Sequence, residues 1–270
     1  MSSHPLAPPP RASFFKALAI QNRVIGALMM RELHTRYGRE NIGYLWLIGE
    51  PLMLASVIGM LHMNGHTEYG SDIRPLPFTV VGYTLFIMFR GIVNRSEGAI
   101  EANAPLLYHR MVTVSDIVFS RALLEAAGTF MAYAVMMVLL SGIGWASLPV
   151  RPLYVVAAVG LMFWISLAQS LIITGISHEN RTVGRLVHPY SYFMIPLSGA
   201  FFQVEWIPQP YREWLLWIPL PHIFELMRYG QFRSADLRYF DGGYVVAFCL
   251  VLTWVGLISV KLLRKRIHLS

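Results

Sequence analysis

Long apolar runs alternate along the chain with shorter charged connections. Six runs approach or exceed the roughly 20 apolar residues that carry a helix across a bilayer, at about 43–63, 76–94, 117–145, 152–177, 183–203 and 244–263. The third is too long for one bilayer, so its first turns, with Arg121 and Glu125, are expected at or beyond the cytoplasmic boundary. Ahead of the runs, Ser13 to Tyr37 predicts an amphipathic helix. Phe14, Leu18, Ile25, Leu28 and Leu33 fall near one face, and Lys16, Arg23, Arg31 and Arg36 fall mostly elsewhere. A helix of that pattern lies in the membrane interface. Residues 1–12, with Pro5 and Pro8 to Pro10, read as a flexible or polyproline-like tail without the apolar core of a secretory leader. The expected fold is an all-α membrane protein. It has a tail (1–12), a cytoplasmic interface helix (13–42) and a six-span transmembrane domain (43–270) with short re-entrant helices before the last span.

Composition supports a polytopic membrane protein. The 270 residues are 55% hydrophobic and 14% charged, against about a quarter charged in soluble domains. The net charge of +7 does not point to nucleic acid, because the positive residues border apolar spans. With the N-terminus inside, sixteen Lys and Arg fall on the cytoplasmic side and six outside, as the positive-inside rule requires. Both termini are therefore expected in the cytoplasm. The single cysteine, Cys249, allows no intrachain disulfide.

Two connections carry more information than the rest. Between the second and third runs, Pro105 suits the first turn of a short helix after Asn103 or Ala104. Leu106, Leu107 and Tyr108 then form an apolar patch between charged flanks. That pattern fits either a docking surface or a short helix packed on its own bundle. Between the last two runs, Pro208, Pro210, Pro219 and Pro221 bound two helix-compatible segments, Tyr211–Ile218 and His222–Phe232, each too short to span. Trp206, Trp214 and Trp217 suit a membrane interface. Short helices at membrane depth are tolerated where protein or a cavity surrounds them.

The sequence carries no catalytic set of residues. No Gly-x-x-x-x-Gly-Lys-Ser/Thr loop occurs, and the lysines stand only at 16, 261 and 265, so this chain has no phosphate-cradling loop of that type. No His-Glu-x-x-His, Cys-x-x-Cys or Gly-x-Ser-x-Gly pattern offers a metal or nucleophile site. Ionisable residues inside spans are costly and mark function by default. Glu50 in the first run and Arg90 near the inner end of the second are such residues, and their charges allow a pair. Glu50 also lies within reach of the cytoplasmic headgroups. Tyr190, Tyr192 and Phe193 follow His188 and Pro189 in the fifth run, and aromatic faces stack on sugar rings as readily as they pack on helices.

The stretch from Arg31 to Leu52, R-E-L-H-T-R-Y-G-R-E-N-I-G-Y-L-W-L-I-G-E-P-L, resembles the start of type-2 ABC exporter permeases. Gly43-Tyr44-Leu45-Trp46 and Glu50-Pro51-Leu52, with H-R-M-V-T-V-S-D-I-V-F-S-R-A-L-L-E after the connection, are most similar to the capsule polysaccharide branch. The resemblance implies two copies of this chain with two ATP-binding subunits. ATP and Mg would be held by those partners, and no cofactor by this chain. It implies a coupling helix at Asn103, Ala104, Pro105, Leu106, Leu107 and Tyr108 seated in the ATPase. It also implies an interface helix involving Arg31, Glu32, Arg36, Tyr37 and Arg39. A path between protomers would draw on Trp46, Glu50, Arg90, Tyr190, Tyr192 and Phe193. An outer gate would include Trp206, Trp214, Trp217, Glu225 and Arg228. The expected cargo is lipid-linked capsular polysaccharide crossing the bacterial inner membrane, handed to a periplasmic adaptor and an outer-membrane export protein. Exporters of O-antigen, teichoic acid, drugs or small lipids share the architecture. A membrane enzyme acting on lipid-linked glycans is a weaker alternative, because the 15 acidic residues are dispersed.

Overall fold

The structure is a computed structural model that describes residues 14–37, 43–61, 72–107 and 112–267. Within them every regular element is helical. They are α1 (Phe14–Tyr37), α2 (Gly43–Leu61), α3 (Pro75–Asn94), α4 (Ala104–Leu107), α5 (Val114–Gly142) and α6 (Pro152–Ser177), then α7 (Arg181–Phe193), α8 (Ile195–Ser198), α9 (Tyr211–Leu215), α10 (Pro219–Gln231) and α11 (Gly242–Ile267). Four described helices are long and apolar enough to cross a bilayer: α3, α5, α6 and α11 as far as Lys265. Their bounds follow the second, third, fourth and sixth apolar runs. α2 follows the first.

Local chemistry sets the boundaries. Pro75 and Pro152 open α3 and α6, where a missing N–H costs nothing. Thr113 and Asp116 form a reciprocal capping box at the start of α5: the Asp116 amide donates to the Thr113 hydroxyl (3.2 Å), and the Thr113 amide donates to the Asp116 carboxylate (2.9 Å). Asn180 caps α7 by accepting from the Thr182 amide at 3.0 Å.

α3 is the central rod. It packs against α2, α5, α6 and α7, and 83% of its apolar stretch is buried, against 22% for α11. A helix apolar all round belongs inside a bundle. α11 packs on α6 and presents Leu250, Val251, Trp254 and Leu257 outward.

The fifth expected span is not one helix. α7 stops at Phe193, α8 adds one turn, and Gly199 takes a left-handed conformation (φ 84°) that turns the chain. Pro189 inside α7 removes a helical N–H, and Gly199 is suited to the reversal. The chain then lies across α3 so closely that a Cβ on Gly82 would stand 1.9 Å from the Ala200 carbonyl oxygen. After the short α9, α10 folds back into the bundle with twelve of its thirteen residues buried. The two short proline-bounded helices expected before the last span are thus present, as 211–215 and 219–231.

α1 also departs from the expected single apolar stripe. Leu28 is buried and Ile25 and Leu33 are half-buried, but Leu18 is exposed, as are Phe15, Ile20 and Met30. The Phe14 side chain lies outside the described residues. The reason is that α1 packs along α5 and α2, and the face it covers carries polar as well as apolar partners.

Gly82→Ala tests the closest approach. It should destabilise the protein by about 1–3 kcal/mol through overpacking. Gly160→Ala, with no atom within 4 Å of its Cβ, should be neutral or stabilising by up to about 1 kcal/mol. Thermal unfolding of the two purified variants in the same detergent checks both.

Candidate functional site

A cluster of charges gathers where α1 meets α5 and the end of α3. Glu32 accepts from Arg36 one turn on (2.5 Å) and from the Arg121 Nε (2.9 Å). Glu125 is bonded by the Arg36 Nη1 at 3.3 Å and the Arg95 Nε at 2.6 Å. Arg121 also donates to the Arg95 carbonyl at 3.2 Å. Gly91 makes the room: a Cβ there would stand 2.4 Å from Glu125 Oε1. Further along α1, Gln21 donates to the Asp116 carboxylate. Burial raises the Glu32 carboxyl, but the charges and hydrogen bonds of Arg36 and Arg121 outweigh it and hold it below the usual carboxylate range. The sequence signal for this cluster was present in two helical spacings, Glu32/Arg36 and Arg121/Glu125, each four residues apart. Their mutual pairing was not visible.

The same end of the bundle holds the loop between α3 and α5. Arg31 donates to the Asn103 side-chain oxygen at 2.8 Å, and Asn103 donates to the Ala99 carbonyl at 2.8 Å. Asn103 is thereby buried beside α4, with Pro105 exposed and Leu106 half-buried. Leu107, half-buried like Leu106, packs against a small core of Ile100, Val114, Val118, Leu171, Val260 and Leu263, which is the packed alternative that the sequence left open. Tyr108 and Arg39 lie outside the described residues, as does the Tyr37 side chain.

α2 and α7 both flank α3 and expose large apolar groups, among them Trp46 at 53%, Tyr192 at 54% and Phe193 at 65%. Glu50 is exposed on the same helix as Trp46. No Glu50–Arg90 ion pair forms among the described residues. The Arg90 guanidinium instead lies 4.0 Å from the centroid of the Tyr192 ring, whose face offers a cation partner nearer than the carboxylate. Tyr190 separates from Tyr192, since side chains two apart on a helix point in different directions. Its hydroxyl donates to Gln169 at 2.9 Å.

At the other end of α3, Glu225 and Arg228 are buried, one turn apart, and bonded at 2.9 Å. Arg228 also donates to the Gly199 and Ala200 carbonyls and lies 4.3 Å from the Phe78 ring centroid. Glu225 accepts from the Val204 amide at 3.1 Å. The pair therefore ties the reversed segment after α8 to α10. Arg151 satisfies the C-terminal carbonyls of α10, donating to Tyr229 (2.8 Å) and Phe232 (3.1 Å). Trp206 stacks on Phe78 at 5.7 Å, and Trp206, Trp214 and Trp217 are all exposed. Among the described residues, no group of three or more His, Cys, Asp or Glu is placed to hold a metal ion.

Glu125→Gln leaves Arg95 without its anion and Arg36 with Glu32 alone. It should lower stability by about 2–3 kcal/mol, discounted because Arg95 is a third exposed. Thermal unfolding checks this. Glu32, held below its ordinary value of 4.5, contributes fully above that pH and loses its contribution as pH falls through the lower folded value. Protease accessibility of α1 should therefore be flat above pH 4.5 and rise only below it.

Residues 23–232 match the family described as ABC-2 type transporter. The chain is 39% identical over 258 residues to the capsule polysaccharide export inner-membrane protein CtrC of Neisseria meningitidis serogroup B, covering 96% of this chain and 97% of that protein. The capsule polysaccharide export inner-membrane protein BexB of Haemophilus influenzae matches with the same identity and coverage. The polysialic acid transport protein KpsM of Escherichia coli is 31% identical over 243 residues, covering 88% of this chain and 92% of that protein. The chain belongs to the ABC-2 type transporter family, as the membrane subunit of a transporter and not an enzyme.

Proposed function

We propose that this chain is the permease of an ATP-driven exporter that moves lipid-linked capsular polysaccharide across the inner membrane. The observation that carries the reading is relatedness along nearly the whole chain to two capsule polysaccharide export proteins. Since the chain has no phosphate-cradling loop, ATP and Mg belong to a separate subunit.

In this reading six spans cross the membrane: α2, α3, α5, α6, the α7–α8 pair and α11. Both termini face the cytoplasm, where most Lys and Arg then lie. The division proposed is an interface segment at 13–42 and a spanning domain at 43–270, and the tail expected at 1–12 lies outside the described residues. Two copies of the chain pair with two ATPase subunits, and the path runs between the copies. Exposed Trp46, Tyr192 and Phe193, with Glu50 and Arg90 close by, suit that path. Their aromatic faces accept sugar rings without selecting one of them. Tyr190, bonded to Gln169, supports the wall from behind.

Force enters at Asn103–Tyr108. A push on α4 reaches α1 through the Asn103–Arg31 bond and α5 through the cluster around Glu32 and Glu125. Rigid helices then shift as units. α9 and α10, with Trp206, Trp214, Trp217, Glu225 and Arg228, form the outer gate. A periplasmic adaptor and an outer-membrane export protein receive the polymer beyond it.

Deleting the gene should trap polymer inside the cell with its lipid still attached, and the wild-type gene should restore it to the surface. Unchanged surface polymer after deletion sinks the cargo assignment. Leu106→Glu probes docking better than a change at Leu107, which anchors the loop. At normal membrane levels it should abolish co-purification of the ATPase and lower surface polymer at least about ten-fold. Retained association overturns the docking assignment.

A further inference from the structure

Two adjoining cavities open at the end of the bundle opposite α4, separated from it by the length of α3, about 30 Å. The first, of about 250 Å³, has the buried Glu225–Arg228 pair as its floor, and Gln203, Glu205 and Asp236 among its walls. The second, of about 440 Å³, is lined by Glu213, Trp217, Phe240, Asp241 and Tyr244 among others. Arg238 and Tyr239 line both, so these two residues form the ridge between them.

The ridge is built rather than incidental. Arg212 donates to the Tyr239 hydroxyl at 3.0 Å, and its guanidinium lies 5.3 Å from the ring centroid. Arg238 lies 5.6 Å from the same ring. Arg212 is itself fixed by the Ile207 carbonyl (2.9 Å) and the Glu205 carbonyl (2.7 Å). Beneath the first cavity, Arg228 is 1% exposed, and its Nε has no hydrogen-bond partner among the described residues. A buried donor left without an acceptor is costly and uncommon. Its other nitrogens are occupied by Glu225, Gly199 and Ala200.

The lining narrows the occupant. Carboxylates and guanidiniums of both signs stand beside aromatic rings, so the walls offer acceptors, donors and flat apolar faces together. An acyl chain would leave those charges unpaired. A polyanion would meet Glu205, Asp236, Glu213 and Asp241. A glycan segment satisfies all three demands, since its hydroxyls both donate and accept and its C–H faces stack on aromatic rings. Ligand sites run to roughly 300–1,000 Å³, and the joined cavities fall in that range, enough for a short oligosaccharide.

We propose that the cleft formed by these two cavities, divided by Arg238 and Tyr239, binds a short glycan segment of the transported polymer on the far side of the bundle from α4. This rests on the export reading, and under its topology the cleft opens outward. The polymer therefore has a holding site after the membrane path, which opposes backsliding between strokes.

The test uses the full-length permease with its ATPase subunit in nanodiscs, and oligosaccharides cut from the host strain's own surface polymer and freed of lipid. Binding is read by saturation-transfer NMR and calorimetry for wild type, Arg238→Gln and Tyr239→Ala. Arg238 is exposed, so its variant keeps the fold if Tyr239→Ala does not. Wild type should bind, and each folded variant should bind about ten-fold more weakly. In parallel, each gene is returned to the deletion strain. If wild type restores surface polymer yet binds no oligosaccharide, or if both variants bind like wild type, the cleft proposal is overturned and the export reading stands. If a variant lowers surface polymer with unchanged oligosaccharide binding, the cleft contacts another protein and the proposal again falls. If wild type fails to restore polymer to the deletion strain, the export reading itself fails, and this proposal with it.

Discussion

Charge removed from water needs a partner, and Glu125 is where this structure depends on that most. Its carboxylate joins Arg36 of α1 to Arg95 just past α3, and it fits only because Gly91 has no side chain. Losing a partner from such a pair costs far more than a surface ion pair is worth. Glu32 repeats the device by joining Arg36 to Arg121. The charge pairs thus add directional bonds between α1, α5 and the end of α3, elements that also pack on one another. That matters for a permease. A helix resting on apolar contacts alone slides easily, whereas one held by directional charge pairs moves with its neighbours.

α3 connects this cluster to its counterpart at the other end. It is enclosed on nearly every side and cannot bend independently of the bundle. Its last turns border Glu125, and Phe78 in its first turn lies under Arg228. Arg228 and Glu225 fix the reversed segment after α8, while Gly82 lets that segment lie directly on α3. A displacement at the α4 end therefore has a stiff route to the α10 end. α2 and α7 flank α3 and expose aromatic groups instead of completing the core, and Arg90 of α3 lies over Tyr192 of α7.

Much of this was legible in the sequence, for physical reasons. Five apolar runs became helices near their expected bounds, because hydropathy and opening prolines define such elements locally. The run at 183–203 forms two helices, α7 and α8, with the reversal at Gly199, a division that hydropathy alone does not reveal. Glu50 and Arg90 invited pairing by charge, yet Arg90 lies over Tyr192, a competitor that charge alone does not reveal. The Glu32–Arg121 and Arg36–Glu125 bonds join residues 89 apart, so no local pattern shows them. The sequence left Leu107 open between docking and packing, because the small core it touches is assembled from α5, α6 and α11 as well as the loop itself.

ATP-driven export by this chain and a separate ATPase is tested most directly by reconstitution. The permease and its ATPase subunit are placed in vesicles whose outer leaflet carries the lipid-linked polymer, and polymer protected inside is measured with time. Accumulation that requires both subunits and hydrolysable ATP is the predicted result. Polymer that stays outside under those conditions, or enters equally without the ATPase or without ATP, contradicts it.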